Sequence, residues 1–474
     1  MVDVPDILQA QLGHVIAPAG CGKTELIAKT IAQASVKPIL VLTHTTAGVA
    51  ALRQRLKRDC VPASNYRLYT IAGWALTIIS MFPERAGYQH NPQNAPNYTA
   101  VQNAVGGLCA SGDKNREIVA TYSQVLVDEY QDCSASQHLI ISHLADMIPT
   151  VVFGDPMQAI FGFGSDPLPD WKAQVIPTFP ELGRLETPWR WKNVGANDLG
   201  SWLLDVRGKL ESGHQVDLRT LPSRVAWHSL GTDQNANATA QLALQYEIAK
   251  ANPKEKILII GDSMQADSRH NFASRAKGVD VVEPVEFRDV VGFADQMDGK
   301  SGQVLLDVCI EFLIKVMTNV YGDILNARVQ SILGNRNRTP PTEPELAAIP
   351  LAQDGGYAEA VCFLKSMAHD PNRRVYRHSA LNIMIEALQT AVATPGSDLP
   401  AAIASLREQR RHAGRIIPPK AVGSTLLLKG LEADHVVVLD ADRPNNKMSK
   451  EHLYVALTRG AKSVNVFSRS PILP

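Results

Sequence analysis

The 474-residue chain has no surplus of charge: 47 Lys and Arg stand against 47 Asp and Glu, a formal net charge of zero. With no global field to draw it onto nucleic acid or an anionic membrane, any such surface must be local. Long apolar runs are missing as well, and the start of the chain carries Asp3 and Asp6 in place of a basic stretch leading into an apolar one. Neither a membrane span nor a secretory leader is expected. Cysteine is sparse: Cys21, Cys60, Cys109, Cys133, Cys309 and Cys362 are scattered, with no C-x-x-C pair. That spacing argues against structural zinc or a disulfide framework and suggests a reducing, cytoplasmic setting.

What is present is too long for one core. Short apolar runs alternate with helical patterns, as in consecutive strand-helix units of a parallel sheet. Strands are expected at 13–18, 38–43, 125–128 and 150–155, with helices at 22–34 and 45–58 between the first of them. Residues 83–97, rich in Pro, Asn and Gly, look like an excursion from that sheet. A second alternating block has strand candidates at 224–228, 256–261, 279–282, 424–428, 436–440 and 463–468, interrupted by a largely helical stretch at 288–409.

Three segments carry chemistry. Ala17-Pro18-Ala19-Gly20-Cys21-Gly22-Lys23-Thr24 follows an apolar run and opens a helix. Backbone N–H groups of such a loop cradle phosphates, Lys23 supplies charge to them, and the Thr24 hydroxyl suits magnesium. Cys21 reads either as an oxidation-sensitive thiol or as a small residue that fits the loop. Val125-Leu126-Val127 then ends in Asp128-Glu129-Tyr130-Gln131-Asp132. Carboxylates at a strand tip suit a metal ligand, Asp128, and a residue that orients and deprotonates water, Glu129. The third, Gly154-Asp155-Pro156-Met157-Gln158-Ala159-Ile160-Phe161-Gly162-Phe163, places an amide, Gln158, where it can sense a γ-phosphate. Phe161 and Phe163 follow as aromatics able to stack on bases.

The order of these segments, followed by Lys429-Gly430-Leu431-Glu432 and Leu453-Tyr454-Val455-Ala456-Leu457-Thr458-Arg459-Gly460, resembles the UvrD/Rep-like branch of superfamily-one DNA helicases. The chain is similar to compact members such as the helicase subunit of the Gabija anti-phage system, which works beside a nuclease. The resemblance implies an α/β fold of two RecA-like parallel-sheet P-loop NTPase domains, each with a reduced, mainly helical insertion. Residues 1–205 would form the first, with a small insertion at about 83–120; 206–287 and 410–474 the second; and 288–409 the helical insertion. It also implies DNA contacts at Thr43, His44, Thr70 and Trp74, nucleotide contacts at Gly430 and Glu432, a γ-phosphate contact at Arg190 in Thr187-Pro188-Trp189-Arg190-Trp191, and an arginine finger at Arg459.

The chain departs from the family in places. The adenine-contacting Gln has no counterpart, since Gln9 and Gln11 stand too close to the phosphate loop, and Leu426 occupies a position where many members have His. Basic residues gather at Arg407, Arg410, Arg411, His412 and Arg415, and again at Arg373, Arg374 and Arg377; either group reads as a phosphate track or a solvated helix face. The expected function is therefore ATP- and Mg2+-dependent movement along single-stranded or tailed DNA, 3′ to 5′, in repair or anti-phage defence, with a partner nuclease. The alternative is a nucleotide-dependent or DNA-end-sensing switch that gates such a partner with little unwinding.

Overall fold

The structure is a computed structural model that describes residues 2–33, 37–89, 97–111, 115–162, 166–394, 398–413, 417–442 and 448–474. Contacts divide the chain into two units: Met1–Trp227 with Lys447–Val464 and Ser470–Pro474, and His228–Asn446 with Asn465–Arg469. The segment bearing Arg459 thus belongs with the first unit, whereas the sequence pattern groups all of 410–474 with the second.

The first unit is built on strands β1 (Leu12–Ile16), β2 (Ile39–Thr43), β3 (Tyr66–Thr70), β4 (Val125–Asp128), β5 (Thr150–Gly154) and β6 (Glu181–Arg184), in the order β3-β2-β4-β5-β1-β6. Every pairing between them is parallel. The inner strands β2, β4 and β5 are buried along their whole length, as a sheet covered on both faces requires. Successive side chains feed opposite cores: Leu40, Leu42, Val125 and Val127 enter one, whereas Ile39, Val41 and Leu126 enter the other. The edge strands β3 and β6 alternate irregularly between polar and apolar, which is why no apolar run announces them. Register aligns Thr43 with both Thr70 and Asp128, and Ile16 with Gly154, so the loops that matter leave from one end of the sheet.

The second sheet is also six-stranded, with strands β7 (Val225–Ser229), β8 (Ile257–Ile260), β9 (Asp280–Val281), β10 (Lys420–Gly423), β11 (Ala433–Val438) and β12 (Gly460–Ser468) in the order β9-β10-β8-β11-β12-β7. The four that lie wholly in the second unit pair in parallel. One expected strand is corrected. Residues 424–428 are a single helical turn, Thr425–Leu428, whose Ser424 hydroxyl accepts the Leu427 N–H, and the strand is the preceding Lys420–Gly423. A short apolar run such as Leu426-Leu427-Leu428 has no period of its own, and a serine ahead of it favours a helix cap.

Between β9 and β10 the chain makes a helical subdomain, Arg288 to Ala413, with its own large apolar core. It is tied to the sheet by Arg377, which is 1% exposed and forks onto Glu283 (Nε to Oε1 2.5 Å, Nη2 to Oε2 3.0 Å) while its Nη1 lies 2.7 Å from Asp289. The rest of that basic trio is equally committed. Arg374 donates to the carbonyls of Ala273 and Ser274, and Arg373 pairs with Asp370. In the other group Arg410 is held by Glu386. The side chains of Arg411, His412 and Arg415 lie outside the described residues, as do residues 90–96 of the expected excursion, of which Pro83–Ala86 is helical.

Burial raises the Glu283 carboxyl above its ordinary value, against the pull of Arg377. An Arg377→Met variant leaves that carboxylate and Asp289 without their cation, and should lose about 3–5 kcal/mol in urea unfolding at pH 7. Arg377 is what opposes that rise, so in the variant the folded Glu283 carboxyl is raised further and takes up a proton sooner, and the deficit relative to wild type should shrink as pH falls toward the ordinary value of 4.5. A deficit that is the same at both pH values would exclude a buried charge as its cause.

Candidate active site

The turn after β1 folds as it does because two glycines take left-handed backbone, Gly20 at φ 71° and Gly22 at φ 91°. A Cβ at Gly20 would meet the Trp191 ring at 2.7 Å, and one at Gly22 would stand 3.1 Å from the Trp189 ring. Gly22 then serves as the N-cap of the helix Lys23–Ala32, so the N–H groups of its first turn, including those of Lys23 and Thr24, are left for a ligand. Ala17 is buried, its N–H bonded to the Gly154 carbonyl, which anchors the loop to β5.

Lys23 extends to the tip of β4, where its Nζ lies 3.0 Å from Asp128 Oδ1 and 2.6 Å from Glu129 Oε1. Burial works against the Lys23 ammonium, yet the two carboxylates outweigh it and hold its pKa above the ordinary value. The same burial raises Asp128, with Glu129 adding and Lys23 opposing. Glu129 itself sits in left-handed backbone, φ 55° and ψ 41°, a conformation that costs a non-glycine residue roughly 1–2 kcal/mol. Its N–H is bonded to Asp128 Oδ1 at 2.9 Å.

From Glu129 a chain of side chains runs across the sheet end. Gln131 donates from Nε2 to Glu129 Oε2 (2.5 Å) and accepts the Asp155 N–H on Oε1 (3.1 Å), which couples the tips of β4 and β5. Asp155, 1% exposed, accepts on Oδ2 from Gln158 Nε2 (3.1 Å) and on Oδ1 from Arg207 Nε (3.1 Å) and Nη2 (2.8 Å). Gln158 Oε1 in turn faces Arg459 Nη2 at 3.5 Å. Arg459, 3% exposed, is steadied by the Val455 carbonyl and the Thr458 hydroxyl.

The helix Lys450–Leu457 and the turn after it are stitched onto the loop at further points. The Ala19 N–H donates to the Tyr454 hydroxyl (3.2 Å), Arg190 Nη1 to the Thr458 carbonyl (2.6 Å), and Trp191 Nε1 to the Gly460 carbonyl (2.8 Å). The Arg190 N–H donates to the Gly20 carbonyl, so the Trp189–Lys192 turn packs directly on the phosphate loop. Trp189 remains 49% exposed there, with the Lys192 ammonium 5.0 Å from its ring.

Lys23, Thr24, Asp128, Glu129, Gln158, Arg190 and Arg459 are thereby gathered in one unit with Ala17, Gly20, Cys21 and Gly22. Gly430, at φ 80°, and Glu432 lie in the second unit, lining a cavity of about 420 Å³ with Lys256, Leu258, Ile417 and Pro419. The expected DNA contacts are less uniform. Thr43 is wholly buried with its hydroxyl unpartnered, and His44 contacts Gln137 (3.3 Å) with its ring centroid 6.1 Å from that of Phe161. The Thr70 hydroxyl caps the helix Ile71–Met81, and Trp74 is 1% exposed in the core beside Ile71 and Ile79, so its ring presents no face at the surface. Phe163 lies outside the described residues.

Thr24 and Asp128 offer a hydroxyl and a carboxylate oxygen, a donor set that suits a hard cation such as Mg2+. Four contributors are not singled out by the sequence motifs: Gln131, Asp155 and Tyr454, which lie inside them without an assigned role, and Arg207. The signal for Arg207 is nonetheless present, because it shares the buried helix face of Leu199, Leu203, Val206 and Leu210, where an arginine needs a partner.

The fold and this loop define a P-loop NTPase-type α/β domain. Residues 3–164 match the family model described as an AAA domain, less than half of the chain. Among solved structures, the chain is similar to arterivirus nonstructural protein 10, a helicase in complex with DNA, at 8% identity and a TM-score of 0.36 over 98% of this chain and 62% of that one. It therefore spans less than two thirds of that protein. No curated protein matches the chain.

Burial, with Asp155 nearby, pushes the Cys21 thiol up to about 12, and its Sγ donates to the Ala19 carbonyl, so the residue behaves as a small filler of the loop. Of the six cysteines only Cys60 and Cys362 are exposed. Titration of the native protein with Ellman's reagent at pH 8 should count two fast thiols and release the remainder only on unfolding. A third fast thiol, mapped to Cys21 by mass spectrometry, would contradict this.

Proposed function

We propose that the protein hydrolyses ATP with Mg2+ to move along single-stranded or tailed DNA, as a translocase or helicase of the UvrD/Rep type working 3′ to 5′. The observation that carries this reading is the unbroken hydrogen-bonded path from Lys23 through Glu129, Gln131, Asp155 and Gln158 to Arg459. In it Lys23 meets the phosphates and Thr24 and Asp128 hold the cation. Glu129 turns from Lys23 to the attacking water, and Arg190 and Arg459 face the charge that develops on the transferred phosphoryl group. Magnesium would supply further neutralisation of that charge. The half-exposed Trp189 indole beside Gly22 offers the base a stacking face that tolerates any purine, which answers the missing adenine-contacting Gln.

On this reading Gly430 and Glu432 are further nucleotide contacts, and the strand passes His44, Thr70, Phe161 and Phe163, with the wholly buried Thr43 next to His44. Trp74 supports that surface from the core. The protein acts in the cytoplasm, in DNA repair or anti-phage defence beside a partner nuclease. Among the described residues no helix is long and apolar enough to cross a membrane. A second reading is favoured by the Arg377 clamp, which ties the helical subdomain to its sheet: a DNA-end-sensing ATPase switch that regulates the nuclease with little unwinding.

Phosphate release should rise on adding single-stranded DNA, with Glu129→Gln as the blank, and the absence of any rise would sink both readings. Arg459→Ala should bind nucleotide normally yet turn over on the order of a thousandfold more slowly. Displacement of streptavidin from a biotinylated single strand, with and without displacement of a 3′-tailed duplex, separates translocase from helicase. A switch does neither.

A further inference from the structure

The path through Gln158 has a direction set by hydrogen-bond chemistry. A carboxylate engaged by a guanidinium fork has no proton to give, so Asp155 can only accept. Its Oδ2 therefore takes the amide nitrogen of Gln158 at 3.1 Å, and the amide oxygen is left facing Arg459. The opposite flip would set Gln158 Oε1 against Asp155 Oδ2, two acceptors in a buried place. Asp155 cannot swing away to relieve it. Oδ1 is held by both Arg207 nitrogens and by the Met157 N–H, while the Asp155 N–H is held by Gln131. Arg207 is itself 5% exposed and braced by Glu211 at 2.9 Å.

We propose that Arg207 and Asp155 are positioning residues that lock the Gln158 amide with its oxygen outward, so that Gln158 works as a hydrogen-bond acceptor toward the Arg459 guanidinium and toward a water beside it. This departs from a γ-phosphate sensor in the direct sense. A phosphate oxygen offers no proton to an amide oxygen, whereas a guanidinium and an attacking water do. Gln158 then holds Arg459 in place and reads the phosphate through it. The inference rests on the hydrolase reading for its consequence in turnover, but the amide's orientation stands apart from it.

A swap of donor and acceptor tests the lock. Gln158→Glu presents an oxygen on both sides and should fail against Asp155, with kcat of DNA-stimulated hydrolysis reduced on the order of a hundredfold. Adding Asp155→Asn supplies a donor toward the new carboxylate and restores an oxygen facing Arg459, so the double variant should regain at least about tenfold of the loss. Binding of a fluorescent ATP analogue should stay within a few-fold throughout. Arg207→Met should lower kcat with that binding intact, and Arg207→Lys should recover part of it, a pattern that a merely structural arginine would not produce in protein shown folded by circular dichroism.

If Gln158 donates to phosphate, the double variant will be no better than Gln158→Glu, which overturns the inference and leaves the hydrolase reading standing. Should the wild type show no hydrolysis, the hydrolase reading falls, and thermal unfolding of the wild type, Q158E, D155N and the double variant still decides the orientation. Introducing Gln158→Glu into the wild type is then expected to lower Tm by several degrees more than introducing it alongside Asp155→Asn. Equal shifts in the two cases would overturn it.

Discussion

A carboxylate sealed from water must be met by donors, and Asp155 is met on every side. Arg207 arrives from a helix more than fifty residues downstream, Gln158 from the turn three residues on, and Met157 from the backbone between. That single demand fixes where the β5 turn sits, and through the turn it fixes Gln158, which in turn borders Arg459. Much of the site's precision therefore comes from a group that need touch no ligand. The arrangement illustrates how a polar network in a low-dielectric interior orders its members, since each unmet acceptor there costs more than a bond contributes.

The phosphate loop shows the complementary case, in which a charge is held ready by its opposites. Lys23 spans Asp128 and Glu129, and both carboxylates face a cation that phosphate would compete for. Glu129 is also gripped by Gln131, so its carboxylate is held between an ammonium and an amide. On the proposed reading, a triphosphate would offer Lys23 new oxygens and so release Glu129 in the same event.

Legibility in the sequence follows burial. The inner strands are readable because covering both faces of a parallel sheet demands unbroken apolar runs, as in Leu40-Val41-Leu42 and Val125-Leu126-Val127. Edge strands β3 and β6 face no such demand and leave no run. The turn at Thr425–Leu428 reads as a strand because three leucines in a row carry no period, and only Ser424 hints at a cap. Motif residues at the tip of β4 and in the loops and turns that leave one end of the sheet, Lys23, Asp128, Glu129 and Gln158, can be named from chemistry and spacing, whereas Arg207 becomes meaningful only once its partner is seen. Basic clusters mislead in the other direction: Arg373, Arg374 and Arg377 look like a phosphate track until Asp370, backbone carbonyls and Glu283 account for them.

The left-handed backbone of Glu129 carries an evolutionary consequence. Glycine and asparagine tolerate that conformation more readily than glutamate does, so on the proposed hydrolase reading fold stability and chemistry favour different residues at this one position. A lineage that ceased to need hydrolysis would feel only the first of these pressures and would drift toward a small or amide side chain. On the proposed hydrolase reading, the residue at 129 is thus a marker, legible in any descendant's sequence, of whether hydrolysis is still under selection.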